Sequence, residues 1–156
     1  MSNEVTLEEL KAYEGTELMP SNWFEIDQHR INQFADCTGD HQYIHLDPEH
    51  MKDSEFGGTI AHGYLMLALL AGHGSPNLPR LKNSVMSLNY GLDRVRFINP
   101  VRANSKVRFH TRILSVIEKS PGRVLIKAQR TLEIDGEKKP AMIAETIGMV
   151  VTTAAK

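Results

Sequence analysis

The stretch from Ile60 to His73 limits the possible folds more than any other part of this chain. Tyr64, Leu65, Met66, Leu67, Leu69 and Leu70 would fall on almost every side of a helix there, and a helix without a polar face must be surrounded by protein. Gly72, Gly74 and Pro76 end it. The C-terminal half of the chain reads as strands. Val107, Phe109, Thr111 and Ile113 alternate with Arg108, His110 and Arg112, and the run from Arg123 to Ile134 alternates in the same way. A period of two marks a sheet with one buried face. Ser84 to Phe97 and Met142 to Thr153 add two more strands, with Gly91 marking a bulge where the apolar phase shifts. Ser120-Pro121-Gly122 and Asp135-Gly136 supply turns.

The simplest way to bury one apolar helix beside a run of long antiparallel strands is to curl the sheet around it. This predicts an α+β, hot-dog arrangement with its helix at about residues 62–73. The open sheet edges predict pairing with a second copy, hence a homodimer. Neither a repeat nor a linker divides the sequence, so residues 1–156 are expected to form one domain.

The N-terminal half reads as short helices and loops. Thr6 to Tyr13 makes a helix, with Thr6 and Glu9 at capping-box spacing, and Gly15 breaks it. Glu17 to Ile26 is expected to be a first strand, with Pro20 placing part of it on an edge. Asp27 caps a helix running to about Cys37, with Ile31 and Phe34 on its apolar face. Thr38 to Ile44 reads as a loop, Asp47-Pro48-Glu49 starts a short helix, and Ser54 to Thr59 is a loop again.

Charge and cysteine content exclude several classes. The net charge of -1 argues against general nucleic-acid binding, which needs a basic surface. The lone Cys37 cannot form an internal disulfide and is expected to be a small buried residue. The N-terminal segment is polar and acidic, unlike a secretory signal, and no apolar run has the length of a membrane span. A cytoplasmic protein without membrane attachment is expected.

Two segments carry candidate chemistry. In the first, Asp40 and His45 stand five residues apart, a spacing that does not share the face of a straight helix. A turn would bring them together. A carboxylate and an imidazole converging on one water can move a proton in either direction near neutral pH. Taken alone, the segment fits a turn aspartate beside a histidine that satisfies backbone groups at least as well. In the second, Gly57-Gly58 leads into His62-Gly63 at the start of the apolar helix. Free N–H groups there would stabilise a thioester oxygen gaining negative charge, and Gly63 leaves the approach open. A glycine needed only for close helix packing is the competing explanation.

Together these segments resemble the MaoC-like dehydratases, also called R-specific or type 2 enoyl-CoA hydratases, and within them the branch of nodulation protein N-like hydratases. The similarity covers Gly39-Asp40 with Ile44-His45, the run Phe56 to Tyr64, and Asn89 to Phe97 followed by Pro100-Val101. The resemblance implies that Asp40 and His45 are the pair that activates water, and that the Gly63 N–H binds the thioester oxygen. It implies an acyl-CoA thioester substrate, with coenzyme A as part of the substrate and with no metal or redox cofactor. Gln42-Tyr43 stands where the family usually has Asn-Pro, and Ala71 where some members have a serine. Gln42 and His62 are the candidates to position substrate in their place.

Two rival functions are a hot-dog thioesterase and a non-catalytic acyl-thioester-binding subunit. His41, His45 and His50 form a weaker metal-site candidate, since no cysteine completes a closed site. Arg94, Arg96, Arg102, Lys106, Arg108 and Arg112 concentrate positive charge that suits coenzyme A phosphates or simply a solvated face.

Overall fold

The computed structural model describes residues 4–74 and 77–153. In chain order its elements are β1 (Glu4–Val5), α1 (Leu7–Lys11), β2 (Phe24–Ile26), α2 (Gln28–Thr38), α3 (Tyr43–Leu46), α4 (Pro48–Met51), α5 (Gly63–Ala68), α6 (Leu70–His73), β3 (Arg80–Leu81), β4 (Ser84–Phe97), β5 (Ser105–Ser120), β6 (Arg123–Ile134) and β7 (Met142–Thr152). An antiparallel five-stranded sheet runs β2-β5-β6-β7-β4, and β1 pairs in parallel with β3.

Alternation along β5, β6 and β7 builds the inner face. Phe109 lies opposite Leu132, and Leu132 opposite Met142, so large apolar side chains line up across three strands. They enclose Leu65 and Met66 of α5 in one core with Ile26, Ile31 and Val107. A second apolar cluster gathers Leu10 of α1 with Leu81, Ile113, Val116, Val124 and Ile126. The sheet curls around the α5–α6 segment, as the hot-dog expectation requires. The expected bulge is present as a register shift between Asn89 and Gly91.

Three expectations need correction. The helix expected at about residues 62–73 starts at Gly63 as expected, but it divides between Ala68 and Leu70. Before it, Ile60 and Ala61 are extended: Ile60 bridges Arg102, and the Ala61 N–H donates to the Val101 carbonyl at 2.7 Å. Pro76 lies outside the described residues. The helix is also less enclosed than its composition suggests. Tyr64 is 72% exposed, because the sheet covers only one side of α5. Finally, only Phe24–Ile26 of the expected first strand joins the sheet as a strand. Residues 17–21 follow the β5 edge through single contacts, Leu18 N–H to Thr111 O and Ser21 N–H to Phe109 O. Pro20 has no N–H to continue the ladder between them.

Strand β4 forms one edge of the sheet. Its apolar residues Val85, Met86, Leu88, Tyr90 and Leu92 are all exposed, a row unusual for an edge with nothing against it.

Phe109 is 1% exposed and its N–H is fixed by the Ser21 hydroxyl at 2.9 Å. Phe109→Ala is expected to lower unfolding free energy by about 3–5 kcal/mol, read from the urea midpoint. A loss below about 1 kcal/mol would mean that the core closes over the cavity.

Candidate active site

Helix α2 places Asp40. Asp27 starts the helix by accepting the Arg30 N–H at 2.8 Å. Gly39 ends it at φ +78°, with its N–H on the Ala35 carbonyl. This left-handed turn suits glycine, and it lifts the chain off the helix axis at the residue before Asp40. Asp40 accepts the backbone N–H of Gln42 on Oδ1 at 3.4 Å and is 42% exposed at its side chain.

The expected loop from Thr38 to Ile44 then closes into α3, so Ile44 and His45 sit on a single helical turn. That turn is pinned from three sides. Gln28 donates to the His45 carbonyl at 2.7 Å and accepts the Thr59 hydroxyl on its Oε1. The Ile60 N–H donates to the Ile44 carbonyl at 3.0 Å. His45 Nδ1 lies 2.6 Å from the Ile60 carbonyl. A carbonyl only accepts, so Nδ1 carries the proton and Nε2 keeps a lone pair. Gln28 and Thr59 were not singled out from the sequence. Their signal is long-range pairing, which local spacing does not carry.

His62 completes the group. Its Nε2 lies 3.0 Å from the Asp40 carbonyl oxygen and 4.0 Å from Asp40 Oδ2. Its ring stacks on His45 at 3.7 Å between centroids. One ligand-type atom from each of Asp40, His45 and His62 lies within 4.8 Å of the others, close enough for a single water to touch Asp40 and His45 together. Burial is the main cause that holds the His45 imidazole below its ordinary basicity. The bond to Ile60 and the Asp40 charge oppose this, and His62 adds to it.

Gly63 opens α5, and as the first helical residue it has no intrahelical acceptor for its N–H. A Cβ there would meet the Phe97 ring at 3.1 Å. Close packing therefore favours glycine at this position whatever else its amide does, since any side chain would press on the Phe97 ring. The Gln42 side chain is exposed beside Asp40. His41 pairs with Asp36 at 3.1 Å, and His50 packs against Tyr43 with the rings tilted at 52°. These two histidines do not join His45, and among the described residues the group able to hold a metal is Asp40, His45 and His62 instead. His62 already commits Nε2 to the Asp40 carbonyl, which leaves too few converging ligand atoms for a closed site. Cys37, expected to be buried, is exposed, since α2 turns Ile31 and Ala35 inward.

The six basic residues largely serve local partners. Arg108 pairs with Glu133 at 2.6 Å and covers Trp23, Arg94 approaches Glu145 at 3.9 Å, and Arg112 donates to the Gly15 carbonyl. A cavity of about 700 Å³ lies elsewhere, between α5–α6 and strands β4 and β7. It is lined by Leu67, Leu70, Leu88 and Ile147 with Arg130. Burial lowers the Arg130 pKa to about 10, and the guanidinium donates to Gly74 O, Thr111 Oγ1 and Thr146 Oγ1.

Comparison with known proteins identifies relatives of the chain. The MaoC like domain matches residues 9–136. The chain is 45% identical to nodulation protein N of Rhizobium meliloti over 150 residues, covering 94% of this chain and 92% of that protein. It is 40% identical to 3-hydroxyacyl-thioester dehydratase Z of Mycobacterium tuberculosis over 146 residues, 89% of this chain and 91% of that one. The R-hydratase PhaJ1 of Pseudomonas aeruginosa superposes with a TM-score of 0.68 at 22% identity, over 91% of this chain and 84% of its own, a likeness of fold.

The state of His45 gives a stability test. Its folded pKa is lowered, so below the unfolded value of about 6.5 the unfolded chain binds more protons. Stability from the neutral ring is complete above that value and is lost as pH falls toward the folded pKa. The melting temperature of the parent should therefore fall more steeply than that of His45→Gln between about pH 7 and pH 5. Parallel slopes in thermal melts would show that the ring titrates normally.

Proposed function

This chain belongs to the MaoC-like dehydratase family, and on that premise we propose that it is an R-specific enoyl-CoA hydratase, running reversibly as a 3-hydroxyacyl-CoA dehydratase. The observation that carries the reading is the approach of the Asp40 carboxylate to a His45 whose Nδ1–H is held by the Ile60 carbonyl. That bond leaves Nε2 as the base.

In the hydration direction, one water sits between Asp40 and His45 Nε2. The imidazole takes a proton as the water oxygen bonds to C3 of a trans-2-enoyl thioester. The π electrons shift to C2 and the thioester oxygen, where the Gly63 N–H opposes the growing charge. The enolate then collapses, and the imidazolium returns a proton to C2 on the same face, a syn addition. Asp40 holds the water and stabilises the transient imidazolium. Each step uses side chains and one backbone amide, so we assign no metal or redox cofactor. Coenzyme A enters as part of the substrate. Gln42, exposed beside Asp40, is assigned to the substrate side of the pair. The names of the dehydratase relative and the R-hydratase neighbour support the reaction and its hand.

A panel of trans-2-enoyl-CoA substrates from four carbons upward tests this, with chiral analysis of product. Loss of enoyl absorbance without free thiol is expected, giving (R)-3-hydroxyacyl-CoA. Thiol release would make the protein a thioesterase, and binding without turnover would make it a carrier subunit. Asp40→Asn and His45→Gln should keep the fold and lower kcat by about 10²–10⁴-fold.

We further assign the active form to a homodimer in the cytoplasm. The exposed apolar row of β4 and the cavity beside it, lined by Leu67, Leu70 and Leu88, form one continuous surface that a second copy would cover. No helix is long and apolar enough to cross a membrane among the described residues. Light scattering should give twice the 17.5 kDa chain mass. Leu88→Lys combined with Leu92→Lys should give one chain mass, and a monomeric parent would remove the assignment.

A further inference from the structure

His62 is enclosed more completely than either member of the pair it joins, at 3% exposed against 6% for His45 and 42% for the Asp40 side chain. Its ring lies between two others: His45 at 3.7 Å and an interplanar angle of 24°, and Phe34 at 5.1 Å and 56°. Such a ring has no open face for substrate. Its edges are equally informative. Nε2 meets the Asp40 carbonyl at 3.0 Å, and a carbonyl accepts only, so the proton sits on Nε2. Nδ1 then carries a lone pair, is buried and has no hydrogen-bond partner. Leaving a buried acceptor unmet costs stability, and protonating it would place a cation against Phe34 and His45.

We propose that His62 is a positioning residue: an imidazole that fixes the Asp40 main chain through Nε2–H and shields one face of His45 from water. It touches no substrate atom and acts through the other two. The groups facing His45 are the Asp40 carboxylate from the loop after α2, the His62 ring from the start of α5, and the Ile60 carbonyl from the extended segment before it. Gln28 of α2 adds an uncharged amide on the His45 carbonyl. With one ring face closed by His62, His45 is desolvated and rests unprotonated, which a base requires. The depressed basicity of His45, caused first by burial, agrees with that enclosure. The hydratase reading enters only where turnover is measured. The ring states are testable without it.

Two variants separate the two duties. His62→Phe keeps a ring on His45 and removes the donor to Asp40. His62→Gln keeps an N–H donor and opens the face of His45. Imidazole ¹⁵N spectra of the intact protein should show the neutral His62 ring as the Nε2–H tautomer. His62→Gln should raise the His45 pKa toward its ordinary value and move the acid limb of kcat by the same amount. His62→Phe should leave that pKa low and reduce kcat on the order of tenfold to a hundredfold, with KM unchanged. A role confined to folding would lower the melting temperature of both variants without moving the limb or splitting kcat from KM. A neutral His62 ring that carries its proton on Nδ1 overturns the proposal, as does an unmoved His45 pKa in His62→Gln. If the parent turns over no enoyl thioester, the hydratase reading fails, while the spectra still decide the role of His62.

Discussion

The bond from His45 Nδ1 to the Ile60 carbonyl, 2.6 Å long, is the constraint on which the site depends. It joins two parts of the chain built by different rules. On one side stand α2 and α3, short elements held by caps and a left-handed glycine. On the other stands the extended segment that leads into α5. That segment is itself held to the connection between β4 and β5 by Ala61 N–H to Val101 O and Ala103 N–H to Thr59 O. One imidazole edge thus ties α3 to the extended segment before α5, and the same bond selects the tautomer.

Around it the molecule adds support that is polar and buried. Gln28 reaches from the start of α2 to both the His45 carbonyl and the Thr59 hydroxyl, so three segments meet on one amide. Interiors accept such groups only when their partners are in place. The unmet Nδ1 of His62 stands out against that background, and its retention is explained by what the opposite edge of the ring holds.

Strands and caps are legible in the sequence because their signals are local. Alternation along β5 and β6, Thr6 with Glu9, and Asp27 before α2 each need only neighbours in the chain. Asp40, His45 and Gly63 emerge through motif resemblance, and the structure brings Asp40 and His45 together. Features that escape a sequence reading are set by distant partners. The turn α3 forms because Gln28 and Ile60 hold it, although residues 38–44 have no helical period. The helix expected at about residues 62–73 begins in place, at Gly63, but its break between Ala68 and Leu70 carries no local signal. Tyr64 is exposed because apolar composition alone does not say how far a sheet will curl. Cys37 is exposed because its side of α2 is set by where Ile31 and Ala35 point.

The contact between Gly63 and Phe97 has an evolutionary consequence. A methyl group at position 63 would lie 3.1 Å from the aromatic ring, so a side chain there needs the ring to shift by a few tenths of an ångström or to be replaced. Among descendants of this sequence, a larger residue at 63 is accommodated most readily alongside a smaller one at 97. The two sites should covary as a pair, and lineages that exchange the phenylalanine first have the shorter mutational path.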